Sequence, residues 1–266
     1  MVRKILLFVL TGIILSSVKM IAQDDSIDTL NFEVQPIQEE KPPYFAIGGG
    51  YTATFLFLNM DGLNSHFASN NFSLPDLKSP IYMSGVHGFT AIGIVPNVRI
   101  GFMGMGGSKK VQADLAVKDK IDTTKIYNVT RGAEYSVYYT GFTLDYGFIL
   151  FRSFALIPGV SGMWATATIE SYQTEKAVDW TEFKPETKSN NFLNRAEGSF
   201  FYVQPYLNAE YAATPFLMVR ASVGYSLSFS GTWTYNRDAS FNSVPSTINT
   251  SGLTAQLGLF IGLFNY

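Results

Sequence analysis

Leu217-Met218-Val219-Arg220-Ala221-Ser222-Val223-Gly224-Tyr225-Ser226-Leu227-Ser228 divides by parity into two unlike sets. Leu217, Val219, Ala221, Val223, Tyr225 and Leu227 fall on one side of an extended chain, and Arg220, Ser222, Gly224, Ser226 and Ser228 on the other. This is the period-two pattern of a β-strand with one apolar and one polar face. The stretch continues to both sides, from Phe216 to Tyr235. Strands of soluble sandwiches average about five or six residues, so its length argues for a different architecture.

The same separation recurs upstream. Phe201, Val203, Pro205, Leu207 and Ala209 oppose Tyr202, Gln204, Tyr206, Asn208 and Glu210, and near the start Phe45, Ile47, Tyr51, Ala53, Phe55 and Phe57 oppose Ala46, Gly48, Gly50, Thr52 and Thr54. A weaker alternation sets Val86, Ile92 and Ile94 against Gly85, His87, Ala91 and Gly93. Eight strands are predicted, at about 44–59, 81–95, 97–107, 131–150, 154–172, 199–212, 216–235 and 252–266. Small residues on the polar parity suit a narrow closed sheet, where interior volume is scarce.

The joins between these strands alternate in length. Short ones fall at Val95-Pro96-Asn97, Phe151-Arg152-Ser153 and Ala213-Thr214-Pro215, and long ones at 60–80, 108–130, 173–198 and 236–251. An up-and-down barrel threaded through an outer membrane has tight turns on the periplasmic side and long loops outside. The predicted fold is therefore all-β, an antiparallel up-and-down transmembrane β-barrel of about eight strands, with ten possible. A soluble exported β protein is the alternative at the level of the fold.

Ahead of the barrel, residues 1–22 read as a signal peptide: Arg3 and Lys4 precede an apolar run from Ile5 to Val18, too short for a membrane-spanning helix, and Ala22 supplies the small residue before cleavage. Residues 23–43 read as an acidic, disordered periplasmic leader, with Asp24, Asp25, Asp28, Glu33, Glu39 and Glu40 against Lys41 and a closing Pro42-Pro43. The net charge of −2 leaves the barrel segment, 44–266, without net charge. That balance offers nucleic acid no basic surface. The chain has no cysteine, which excludes disulfides and thiolate metal sites, and its two histidines fall short of any zinc spacing. No cofactor or metal is expected.

With its Ala22-Gln23 start and its aromatic end, Phe264-Asn265-Tyr266, the chain resembles the small outer-membrane β-barrel superfamily. This group comprises the OmpA-, OmpX- and OmpW-like barrels and the related outer-membrane barrels of Bacteroidetes-type bacteria. The resemblance implies residence in the cell outer membrane, contact with its lipid and lipopolysaccharide, and recognition of the final strand by the barrel-assembly machinery. That strand carries two apolar sets of opposite parity, Leu257, Leu259, Ile261 and Leu263 against Phe260, Phe264 and Tyr266, so its facing stays open.

The candidate site consists of the charges on the inward parity: Arg99, Asp145, Glu210 and Arg220, all close to a tight turn. Two cations and two anions in a narrow lumen must pair or be solvated, and an ion-pair network that plugs the interior is the expectation. His87 shares that inward side as a polar lumen residue. His66, with Ser65 and Asp61 nearby in the first long loop, has the residue types of a hydrolytic centre, but adjacency in a loop is not triad geometry. A short helix over Leu58–Phe67 or a flexible loop are both compatible with the spacing there. The lysines of 108–130 (Lys109, Lys110, Lys118, Lys120 and Lys125) suggest contact with anionic lipopolysaccharide, and Tyr138, Tyr139, Trp164 and Tyr225 suggest interfacial girdles. Together these features predict a structural or surface-exposed, non-enzymatic barrel with a plugged lumen; a conduit for small hydrophobic molecules is the alternative.

Overall fold

In the computed structural model, residues 45–118, 124–175, 180, 191–241, 244, 248 and 251–265 are described. The chain divides into Met1–Lys41 and Pro42–Tyr266, and every described residue lies in the second unit. The signal peptide (1–22) and the acidic leader (23–43) fall outside the described residues.

The described residues form ten strands and one helix: β1 (Phe45–Phe57), α1 (Asp61–Ser69), β2 (Ile81–Ala91), β3 (Val98–Lys118), β4 (Ile126–Tyr146), β5 (Phe148–Phe151), β6 (Phe154–Glu175), β7 (Phe192–Thr214), β8 (Leu217–Tyr235), β9 (Ala239–Ser240) and β10 (Gly252–Asn265). Eight of the strands form one antiparallel sheet in the order β10-β1-β2-β3-β4-β6-β7-β8, and β8 pairs with β10 to close it. The closure removes the sheet's edges through the wall of the barrel. The short strands β5 and β9 hang on β6 and β8.

Outward parity is apolar and uncovered on almost every strand. Leu253, Leu257, Leu259, Ile261 and Leu263 on β10, Val219, Val223, Leu227 and Phe229 on β8, and Phe142 and Leu144 on β4 are all exposed. A soluble sandwich turns such residues toward a shared core, and monomers in water rarely expose continuous apolar surface of more than a few hundred Å². Here the polar parity faces in and the apolar parity faces out, so the sheath is built for lipid and the fold is a transmembrane β-barrel. The facing of β10 is settled by the same division: its leucines point outward, while Phe260 and Phe264 are buried inside.

Three details of the sequence reading are corrected. The segment 108–130 is not a loop, because β3 runs unbroken to Lys118 and pairs with β4 from Val98↔Tyr146 to Lys118↔Ile126. Its mixed alternation comes from a hairpin that rises beyond the sheath. Tyr139 lies inside the lumen rather than in a girdle, since odd positions of β4 point inward; Tyr138, Trp164 and Tyr225 do stand exposed on the outer face. Ile92 and Ile94 belong to the turn after β2, which ends at Ala91.

The wall is uneven in height. β1 and β10 stop pairing at Phe57↔Leu253 and β2 and β3 at Met83↔Gly107, but β3–β4, β4–β6 and β6–β7 continue well past that level. Just above the exposed Tyr138 and Trp164, the outward positions change to Lys110, Glu134, Glu170, Arg195 and Glu197. The extension from Ser108 to Lys118 is roughly 33 Å of strand, which at a tilt near 40° rises about 25 Å beyond the apolar sheath.

Candidate functional site in the lumen

Near the end that carries the tight turns, the inward charges come together. Arg99 on β3 stands directly across the ladder from Asp145 on β4, and Glu210 on β7 directly across from Arg220 on β8. The two pairs are then joined across the lumen. Arg99 Nη1 donates to Glu210 Oε2 at 2.8 Å, and Arg99 Nη2 donates to Glu210 Oε1 at 2.9 Å and to Asp145 Oδ2 at 2.8 Å. Arg220 Nε donates to Glu210 Oε1 at 2.8 Å. The charges cancel, and each carboxylate accepts charge-assisted bonds, the arrangement that offsets removing four ions from water.

Neighbouring strands complete the cluster. Tyr206 Oη donates to Asp145 Oδ1, a bond for which Gly159 makes room, since a Cβ there meets the Tyr206 ring at 2.7 Å. Arg220 Nη1 lies 2.7 Å from His87 Nδ1, and His87 Nε2 lies 3.2 Å from Thr143 Oγ1. Because a guanidinium only donates, Nδ1 is the acceptor; the ring is then neutral, with its proton on Nε2, which donates to Thr143. The guanidiniums also lie over aromatic faces: Arg99 is 4.3 Å from the Phe89 centroid, and Arg220 is 4.7 Å from Phe89 and 4.1 Å from Phe260.

Burial decides what this cluster does to the lumen. Arg99 and Glu210 are 0% exposed, Arg220 1% and Asp145 3%. Solvent reaches almost none of the surface of these four side chains.

Toward the other end the interior turns apolar. Met83, Met103, Met105 and Met163 pack with Tyr135, Tyr139 and Tyr202, all buried. A bulge between β7 and β8 near Ser199/Phe201 reverses the parity of β8 above it, so Trp233 turns inward against Phe200 at 5.5 Å between ring centroids. The segment 58–80 closes the top. Its α1 lays Leu63 into the apolar cluster, Asn64 exchanges hydrogen bonds with the backbone of Leu77, and Phe72 sits between Arg131 at 5.0 Å and the Phe192 ring at 5.9 Å.

His66 lies on α1, 6.2 Å from the Phe67 ring, and among the described residues no side-chain hydrogen bond joins it to Ser65 or Asp61. Adjacent helix positions point in different directions, which keeps His66 and Ser65 apart. Two features escaped sequence reasoning: Tyr206 and Thr143 as members of the cluster, and the methionine-tyrosine filling above it. For Tyr206 and Thr143 the available signal was inward parity, which both share with the charges.

No protein-family model matches the chain, and no curated protein matches it. Among solved structures, similarity is found to a major outer membrane protein from Thermus thermophilus, at 9% identity and TM-score 0.43 over 82% of this chain and 99% of that one. Ail, the attachment invasion locus protein of Yersinia pestis, aligns at 10% identity and TM-score 0.34 over 83% of this chain and 99% of its own. The outer membrane protease OmpT of Escherichia coli aligns at 8% identity and TM-score 0.31, over 84% and 96%.

Proposed function

We propose that this chain is a non-conducting barrel of the cell outer membrane, non-enzymatic, with a structural or surface-exposed role carried by its long-loop end. The observation behind this reading is the cross-lumen bridge from Arg99 to Glu210, made of side chains with no exposed surface. A solute path through that level requires the two Arg99–Glu210 bonds to open together. On this reading an N-terminal signal exports the chain, the barrel-assembly machinery recognises β10 and its Phe264-Asn265-Tyr266 end, and the tight turns face the periplasm. Contact with lipopolysaccharide then falls to the hairpin tip, at Lys118 and Lys125. Lys110 is engaged lower down, 5.1 Å from the Tyr172 ring and opposite Glu134.

Planar-bilayer recording tests the plug, and fractionation tests the membrane placement. The expected results are no steady conductance from the intact protein, recovery with the outer membrane, and heat-modifiable migration on gels. Steady ion conductance, or complete release by salt without detergent, overturns the reading. A second reading, a conduit for small hydrophobic molecules, draws on the methionine-rich outer half of the lumen beneath α1. Saturable uptake of an apolar probe by proteoliposomes, lost on filling that half, favours it over the plug.

A further inference from the structure

The barrel segment holds six methionines, Met60, Met83, Met103, Met105, Met163 and Met218, and all six are buried inside it. On the side that faces lipid, leucine, isoleucine, valine and the aromatics supply the exposed apolar surface, and methionine supplies none. Methionine and leucine are close in volume and both apolar, so hydrophobicity alone does not produce that division. Filling irregular gaps is methionine's usual service in a core; the placement of four of the six adds something to it.

Gly141 on β4 stands directly opposite Met103 on β3 and directly opposite Met163 on β6. A Cβ at Gly141 would meet Met163 Cγ at 2.9 Å, so the Met163 side chain takes up the room that a side chain on β4 would need. Two ladder steps separate β3 from β6, about 10 Å, a gap that two methionine side chains close when the residue between them is glycine. Met105 follows Met103 on the same face of β3. Met83 on β2 is the diagonal neighbour of Met105, since Met83 lies opposite Gly107 and Met105 opposite Gly85. All four side chains belong to one buried cluster with Tyr139 and Tyr202, whose rings meet edge to face at 5.1 Å. Among the described residues, that cluster contains no charged side chain.

We infer that Met83, Met103, Met105 and Met163 form a thioether site for a soft monovalent cation, a cuprous or silver ion. Thioether sulfur is neutral and polarizable and suits Cu(I), whereas magnesium and calcium require oxygen. A single positive charge is also the smallest ionic burden for a dry interior. The tyrosine rings add π faces, which attract a cation. A thioether has no proton to lose, so uptake releases none, and affinity stays level where thiolate or imidazole sites weaken in acid. Met60, the residue ahead of α1, carries the same donor into the segment that covers the cluster. The inference is independent of whether the lumen below conducts and requires only the barrel fold.

The test uses the full chain in chloride-free nanodiscs, titrated with silver(I), and with copper(I) kept reduced by ascorbate in competition with a chromophoric copper(I) chelator. Saturable binding of one ion per chain is expected, with sulfur as the only neighbour in X-ray absorption, equal affinity in mild acid and at neutrality, and no competition from magnesium or calcium. Met105→Leu and Met163→Leu keep volume and apolarity, and each should weaken binding at least about tenfold. Met218→Leu changes a methionine of the separate cluster with Phe260 and Phe264 and should leave binding as it is. Replacing every methionine by norleucine exchanges each sulfur for a methylene and should abolish binding in a barrel that keeps its heat-modifiable migration. No binding by a normally migrating barrel, binding retained by the norleucine protein or by Met105→Leu with Met163→Leu, affinity that falls in mild acid, or adventitious binding lost with His66→Ala each overturn the inference. Failure of the outer-membrane reading is seen separately, in fractionation.

Discussion

Glu210→Gln removes one negative charge from the centre of the lumen while keeping the shape of the side chain. Glu210 accepts two bonds from Arg99 and one from Arg220, all between 2.8 and 2.9 Å, and is completely buried. After the change Asp145 is the one carboxylate left in the cluster and stays bonded to Arg99, while Arg220 loses its Glu210 partner. Breaking a buried pair on one side costs about 3–5 kcal/mol, because the partner charge stays desolvated. The expected loss in unfolding free energy is therefore in that range, measured by urea titration of tryptophan fluorescence in lipid vesicles. Adding Arg220→Met removes the stranded cation and restores neutrality with Arg99 and Asp145 alone. The double variant should recover to within about 1–2 kcal/mol of the parent, since apolar replacements of buried pairs are often neutral. A single variant less than about 1 kcal/mol below the parent, or a double variant no more stable than the single, refutes the account of the network.

Other parts of the molecule give sharper or simpler outcomes. Arg220→Ala deletes a side chain that touches Glu210, His87, Phe89 and Phe260, and should produce brief conductance steps in planar bilayers where the parent is silent. His87→Leu removes the acceptor of Arg220 Nη1 and the donor to Thr143, at a cost of about 2–3 kcal/mol by the same urea titration. Gly50→Ala sets a Cβ 2.7 Å from Phe260 Cα at the β1–β10 seam and should block folding into the heat-modifiable form; Gly49→Ala, whose Cβ meets nothing nearer than 4.0 Å, should fold normally. Phe72→Ala breaks the contact with Arg131 and should speed proteolysis within 58–80 while leaving the unfolding of the barrel within about 1 kcal/mol of the parent.

Parity made much of the wall legible, because a strand with lipid on one side and a packed lumen on the other has two faces of different chemistry. Where both sides are wet that contrast disappears. Lys109-Lys110-Val111-Gln112-Ala113-Asp114 looks like a loop for this reason, although it is a continuation of β3. Tyr139 shows a related limit: neighbouring tyrosines have the same polarity, and only strand phase tells that Tyr138 meets lipid while Tyr139 meets Tyr202. Within the candidate site, the inward parity of Arg99, Asp145, Glu210 and Arg220 can be read from residue spacing. Their meeting cannot, because it depends on the stagger of strands around the barrel, which sets Arg220 beside a histidine 133 positions away. The inward turn of Trp233 depends on a bulge whose one cue in Ser228-Phe229-Ser230-Gly231 is Gly231, a cue shared by strand glycines that sit in no bulge.

The bridge between Arg99 and Glu210 also has a mechanical meaning. It ties β3 to β7, strands that lie three places apart around the eight-stranded wall. A thin tube under uneven lateral pressure from lipid fails first by flattening into an oval, a motion that backbone ladders resist poorly because each needs only a small change in angle. A rigid, bidentate strut spanning the lumen as a chord resists that motion directly. The barrel's circular section should thus depend on a contact that no pair of adjacent strands can supply.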